Sequence, residues 1–252
     1  MKKFLFLLLP IIALLSCKAT KQEMTKGNPP APGFNQDKSD PKAIAIADEV
    51  MKAMGGRKNW DKIRFIKWNF FGSRIHTWDK WTGDIRIDYT KEDLKVIMNI
   101  HSMKGTAMIE DTLVDANHPR NGPIMQKAKA HWINDSYWLV MPFKLKDSGV
   151  TLKYMGESQT QAGSLADVVS LTFEEVGVTP DNKYLVYVDK KSRLVTQWDF
   201  YTKASDQEPR FQIPWEGYSK YGNILLSGGR GKYALTDIVV FENLSTEVLS
   251  KL

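Results

Sequence analysis

Across most of its 252 residues the chain alternates apolar and polar side chains with a period of two, and one internal stretch, residues 121–145, breaks that rhythm with a helical spacing. Such alternation sends successive side chains to opposite faces of a strand, so the chain must fold mainly as sheet with an apolar face to bury. Before the helical stretch, residues 63–72 set Ile66, Trp68 and Phe70 against Lys67 and Asn69. Residues 74–80, 84–90, 94–101 and 106–114 follow as further strands, with Trp81-Thr82-Gly83 and Lys104-Gly105 as turn signals. After it come 150–157, 167–175, 183–189, 193–202, 210–218, 222–227 and 234–241, with Asp181-Asn182 and Lys191-Ser192 at turn positions. About twelve antiparallel strands are too many for one flat sheet, which must curl. Between the two blocks, Ile124, Ala128 and Trp132, then Tyr137 and Leu139 to Met141, form an apolar stripe that ends at Pro142. Asn134-Asp135-Ser136 is a break signal within it.

A second helix is expected over 41–54. Asp40 precedes Pro41, an N-cap followed by proline at the first helical position, where a missing N–H costs nothing. Ala43, Ile46, Ala47, Val50 and Met54 share one face, and Gly55-Gly56 supplies the stop. The opposite face is mixed in sign, which suits packing across a sheet better than lying on a membrane. Residues 18–39 are polar, with Asn28-Pro29-Pro30-Ala31-Pro32-Gly33 at their centre, and show no apolar periodicity. They read as a flexible tether, its ends averaging roughly 25 Å apart.

The first residues pair Lys2 and Lys3 with an apolar run from Phe4 to Leu15. That run is too short to span a bilayer as a mature helix and reads as an export signal. Leu14-Leu15-Ser16-Cys17 resembles the bacterial lipobox, in which a nucleophilic sulfur takes the lipid and cleavage follows a small residue. Cys17 is the only cysteine, so no disulfide can form within the chain. Lys18, where a retention signal would place Asp, resembles lipoproteins released to the outer membrane. The expected division is a signal peptide over 1–16, a lipidated tether over 17–39 and one folded domain over 40–252. The expected location is the outer membrane, lipid-anchored and facing the periplasm. Net charge is +6, but Lys2 and Lys3 belong to the leader, and the remaining surplus is scattered. Nucleic acid is therefore not an expected partner. The domain is expected to be a monomer whose one membrane attachment is Cys17.

The segment Trp138-Leu139 with Pro142 and Leu145, following a basic helix and leading into a strand, resembles the middle of the LolA/LolB-like superfamily of lipoprotein carriers and related lipid-binding proteins. That resemblance implies a curled antiparallel sheet forming an incomplete, half-open β-barrel with a helical lid over an apolar cavity for acyl chains. Gly55-Gly56-Arg57-Lys58-Asn59-Trp60 and Trp78-Asp79-Lys80-Trp81-Thr82-Gly83-Asp84 also resemble a group of bacteroidete lipoproteins.

Eight tryptophans, nine tyrosines and eleven phenylalanines are more aromatic surface than an average sheet needs. Trp68, Phe70, Trp78 and Trp81 cluster in the first hairpins, and Trp132, Tyr137 and Trp138 lie on the helical stretch. Two readings stay open for these seven rings: plain core, or the walls of a cavity for a hydrophobic ligand. An exposed row of rings would instead suit a carbohydrate-binding or hydrolytic protein. His76, His101, His118 and His131 lack metal-ligand spacing, and no metal or cofactor is expected. Asp79 with Asp84, or Glu174 with Glu175, could pair for acid–base work, although adjacent strand residues face opposite ways. Residues 227–232 lack the spacing of a phosphate loop and read as a mobile turn, and no GxSxG is present. The chain is expected to bind rather than to catalyse.

Overall fold

The computed structural model describes residues 27–174 and 181–252. The expected signal peptide, the lipidation site Cys17 and residue Glu175 lie outside the described residues. Within them the protein is mainly β, with fourteen strands, three α-helices and two short 3-10 turns.

Helix α1, Pro41–Ala53, runs as its spacing requires, with Ala43, Ile46, Ala47, Val50 and Met51 buried. Asp40 does not cap it through its side chain. Its carboxylate instead accepts the Tyr154 backbone N–H (3.0 Å) and the Lys153 ammonium (3.1 Å). Gly55, at φ +112°, is required by close approach, since a Cβ there would sit 2.3 Å from the Asn223 carbonyl oxygen. A second short helix, α2 (Arg57–Lys62), follows Gly56; Trp60 is its one buried residue and stacks on Phe143 at 4.3 Å.

The strands fall into two antiparallel sheets, neither closed into a barrel among the described residues. The larger runs β12-β13-β14-β1-β2-β3-β4-β5-β6 and the smaller β11-β10-β9-β8-β7. Strands β1 to β6 (Phe65–Phe70, Arg74–Asp79, Asp84–Tyr89, Leu94–Asn99, Gly105–Ile109, Thr112–Val114) form the expected meander. The single strand expected over 106–114 is two, because Glu110 and Asp111 both take positive φ and turn a tight hairpin. The two expected blocks do not map onto the two sheets. Strands β7 to β11 (Val150–Gln159, Leu165–Phe173, Lys183–Asp189, Val195–Tyr201, Phe211–Pro214) make the smaller sheet. Strands β12 to β14 (Glu216–Tyr221, Ile224–Arg230, Tyr233–Phe241) return to the larger one, where β14 pairs with β1 through Phe65↔Phe241 and Ile66↔Val240. The strand expected over 210–218 is where the chain changes sheets, around the buried Trp215.

Residues 28–39, expected to belong to the flexible tether, lie on the domain. Strand β7 is the edge of the smaller sheet, and residues 31–40 cover that edge. The Asn35 N–H donates to the Val150 carbonyl (3.1 Å) and the Asp40 N–H to that of Leu152 (2.8 Å). Asn28, buried, donates to Asp48 (2.8 Å), which also pairs with the buried Lys146 (2.5 Å). Hydrogen bonds and one apolar contact, Phe34 against the core, hold the segment, and a single apolar residue leaves no hydrophobic periodicity to reveal its docking.

The helical stretch is one continuous helix, α3 (Asn121–Val140), followed by a 3-10 turn at Met141–Phe143. The break signal does not break it because its polar groups are satisfied sideways. Asp135, wholly buried, accepts from Arg74 Nε (2.6 Å) and from His76 (2.7 Å) on β2, and Asn134 donates to the same carboxylate.

Candidate functional site

Two buried polar devices fix α3 in place. One is the Arg74–Asp135–His76 cluster. Burial pushes the Asp135 carboxyl up, but the hydrogen bonds from His76 and Arg74 outweigh it and hold the carboxyl below its ordinary value. Burial pulls the His76 imidazole down and keeps it neutral, with Trp68 stacked on its face at 4.6 Å. A neutral His76 donates from Nε2 to Asp135, while its Nδ1 has no partner. The other is Arg230, about 1% exposed, which donates to the Trp138 carbonyl at the end of α3 (2.5 Å) and to Ser227 Oγ (2.9 Å). Its guanidinium lies 3.5 Å from the centre of the Trp215 ring, and burial lowers its pKa. Residues 224–230 are therefore a strand with Ser227 and Arg230 buried, not the mobile turn expected over 227–232. A glycine-rich string hides this arginine, whose role depends on a helix 92 residues away in sequence.

Beneath the second half of α3 lies a cavity of about 370 Å³. Trp132, Tyr137 and Trp138 of α3 form one wall, Phe173 and Tyr184 from the smaller sheet another, and Trp78 of β2 a third. The walls are uncharged aromatic rings. Burial pushes the Tyr137 phenol well above its ordinary value and that of Tyr184 to about 12, so both stay neutral at physiological pH. The indole N–H groups of Trp78 and Trp132 have no hydrogen-bond partner and are closed to solvent; the two rings meet edge to face at 5.3 Å. Behind the cavity Tyr184 stacks on Trp198 at 4.9 Å, and Trp138 meets Trp198 edge-on at 4.8 Å. Asn134 and Ser136 of α3 and Asn182 add uncharged polar groups, and the charged lining gathers on the loop after the 3-10 turn, where Lys144 and Asp147 form an ion pair, each side chain about a third exposed.

Of the seven rings singled out from the sequence, the structure brings Trp78, Trp132, Tyr137 and Trp138 together around this cavity. Trp68, fully buried, and Phe70 are core residues of β1. Trp81 is 60% exposed at the β2–β3 turn. Sequence reasoning missed Phe173, Tyr184 and the Lys144–Asp147 rim. Phe173 and Tyr184 are ordinary members of alternating strands, and only the pairing of β8 with β9 sets them opposite α3.

The other constellations resolve into structural roles. Asp79 accepts from Arg64 (2.9 Å) and from the Trp81 N–H (3.0 Å), while Asp84 holds Thr82 Oγ1 (2.7 Å). Both carboxylates are committed to the β2–β3 turn. Glu174 pairs with Lys38. His131 meets the Tyr89 hydroxyl (3.0 Å), and among the described residues no three histidine, cysteine, aspartate or glutamate side chains cluster as a metal site. No described helix is long and apolar enough to cross a membrane.

No protein-family model matches the chain, and no curated protein matches it in sequence. Among solved structures it is similar to a DUF1329 family protein from Desulfovibrio piger, with 13% identity, 83% of this chain and 97% of that one covered, and a TM-score of 0.43. It is similar to the same extent (TM-score 0.43, 83% and 97% covered) to an outer membrane lipoprotein-sorting protein domain from Vibrio parahaemolyticus, at 8% identity. A weaker likeness, with a TM-score of 0.25 and 12% identity over 82% of this chain and 58% of the other, is to MucB in complex with MucA(peri). At these TM-scores the likeness does not define a function, and the site is read from its own residues.

Proposed function

We propose that the protein binds one apolar ligand, of the size of a single acyl chain, in the cavity under α3, and that it works in the bacterial envelope, anchored through Cys17. The observation that carries the reading is the cavity itself: about 370 Å³ walled by six aromatic rings, with its charged groups confined to Lys144 and Asp147. Ligand pockets span roughly 300–1,000 Å³, so the space suits a small ligand. A water occupies about 30 Å³ and a methylene a similar volume, which gives room for on the order of a dozen carbons. That is one chain, or one ring system, and not the several chains of a complete lipoprotein anchor. Burying such a chain gains roughly 10 kcal/mol at about 0.8 kcal/mol per methylene. Loss of free motion removes about 4 kcal/mol or more, leaving affinity in the tens of micromolar.

The protein acts by binding and not by catalysis in this reading. The lining contains neither histidine nor cysteine, and its one carboxylate, Asp147, is engaged by Lys144. A sugar-binding surface would need several exposed rings, and of the eight tryptophans only Trp81 is exposed.

The test is native mass spectrometry with lipid extraction on the full chain purified from a bacterial envelope, followed by titration with a twelve-carbon fatty acid. A stoichiometric acyl species, or saturable binding of the fatty acid that Trp132→Ala weakens, supports the reading. An empty protein that ignores the fatty acid overturns it.

A further inference from the structure

Trp81 is held out in solvent. Its ring projects from the β2–β3 turn, its indole N–H donates to the Asp61 carbonyl of α2 (3.1 Å), and the Arg64 guanidinium lies 5.3 Å from its centre. A tryptophan fixed with most of its surface in solvent leaves apolar area uncovered in the isolated molecule, and it carries a polar tip on an apolar body. The surface around it is basic. Arg57, Lys58, Lys62, Arg64 and Lys80 outnumber Asp61, Asp79 and Asp84 by two. Arg57 and Arg64 spend their charge on Asp61 and Asp79. Lys58 and Lys62 are exposed, with no carboxylate partner among the described residues.

The chain enters the domain on this same side, where Arg57 donates to the Pro29 carbonyl (3.3 Å). Because residues 28–39 are fixed to the domain, ten residues, 18–27, separate Asn28 from Cys17. Ten residues span at most about 35 Å. A lipid on Cys17 would therefore keep this face near the bilayer.

We propose that α2 and the β2–β3 turn form a membrane-docking face, with Trp81 seated at the lipid–water interface and Lys58 and Lys62 against anionic headgroups. Tryptophan is favoured at that depth because its apolar ring and polar N–H are both accommodated. Juxtamembrane lysines are drawn to anionic lipid over a distance of about one Debye length, roughly 8 Å at physiological salt. Docking would also orient the cavity. Trp78 of its wall lies on β2, the strand that leads into this turn.

The test exploits the single cysteine. Full-length chain carrying Cys17→Ser and Thr82→Cys is labelled with an environment-sensitive fluorophore and mixed with vesicles of phosphatidylglycerol and phosphatidylcholine, or of phosphatidylcholine alone. The leader is the same in every variant, so differences between variants report whether the turn touches the vesicle. The expected result is a blue-shifted, several-fold brighter emission on anionic vesicles that fades with added salt. Trp81→Ser should abolish it, the Lys58→Glu, Lys62→Glu pair should reduce it several-fold, and a label at Ser158→Cys should not respond. Silence at position 82 on anionic vesicles, or an equal response at 158, overturns the proposal. So does a response that needs no vesicle and grows with protein concentration, which would make a second copy the occupant. Fatty-acid binding is measured separately, so failure of docking leaves the cavity reading standing.

Discussion

Lys146→Met tests the buried ion pair on which Asn28 docks. Lys146 Nζ lies 2.5 Å from Asp48 Oδ1, both side chains are about 4% exposed, and Asn28 Nδ2 donates to the same oxygen at 2.8 Å. Methionine keeps the length of the lysine side chain and removes its charge. The Asp48 carboxylate is then left buried with one neutral donor, and breaking a buried pair in this way costs about 3–5 kcal/mol. For a domain of this size each kcal/mol moves the midpoint by about 2–4 °C, so thermal unfolding should come about 10 °C earlier. Asp48→Asn added to Lys146→Met should restore most of the loss, since an amide still accepts from Asn28 and leaves no buried charge. Urea unfolding followed by tryptophan fluorescence gives both values. A single-variant loss below about 1 kcal/mol, the scale of an exposed pair, would refute the reasoning. A double variant no more stable than the single one would refute it equally.

Trp68→Ala should cost about 3–5 kcal/mol in urea unfolding, as a core truncation, whereas Trp132→Ala should leave a folded protein whose fatty-acid affinity drops at least about tenfold in fluorescence titration. If Trp68→Ala folds normally and loses only binding, the division between core and cavity is wrong. His76 has a folded pKa below its unfolded value of about 6.5. The unfolded chain therefore binds the extra proton, and stability present above that pH should decline as pH falls below it; His76→Gln should flatten that part of a urea-midpoint profile. Asp135 acts in the same direction at lower pH, because its folded pKa is depressed and its contribution is lost as pH falls through that value. Gly55→Ala should destabilise by more than about 1 kcal/mol, since φ is +112° and the new methyl would meet the Asn223 carbonyl; an unchanged melting temperature would show that this turn relaxes freely.

Much of the fold was legible because period-two and helical spacings are local. Helix α1 was marked by Pro41 and Gly55, α3 by its stripe, and most strands by alternation. The misses share a cause. The 28–39 segment docks through hydrogen bonds to an edge strand and the single apolar contact of Phe34, which leave no periodic pattern in side-chain hydrophobicity. The Asn134-Asp135-Ser136 signal for a break was overridden because Arg74 and His76 supply partners that no local rule anticipates. Arg230 was hidden in a glycine-rich string because its partners, Trp138 and Trp215, come from other parts of the chain.

Residue types and their spacing were enough to determine that this chain is a curled, largely antiparallel β protein with a helix laid against it, rich in rings at predictable positions. Alternation selects which side chains share a face, and that is a property of the strand alone. Tertiary structure decided which faces meet. Pairing of β14 with β1 carried the last strands away from their neighbours in sequence, and pairing of β8 with β9 set Phe173 and Tyr184 opposite α3. The same choices turned Trp68 into core, Trp132 and Trp138 into cavity wall, and Trp81 outward. A ring's chemistry is the same in all three places; its role depends on what lies within about 4 Å of it, and long-range pairing sets that.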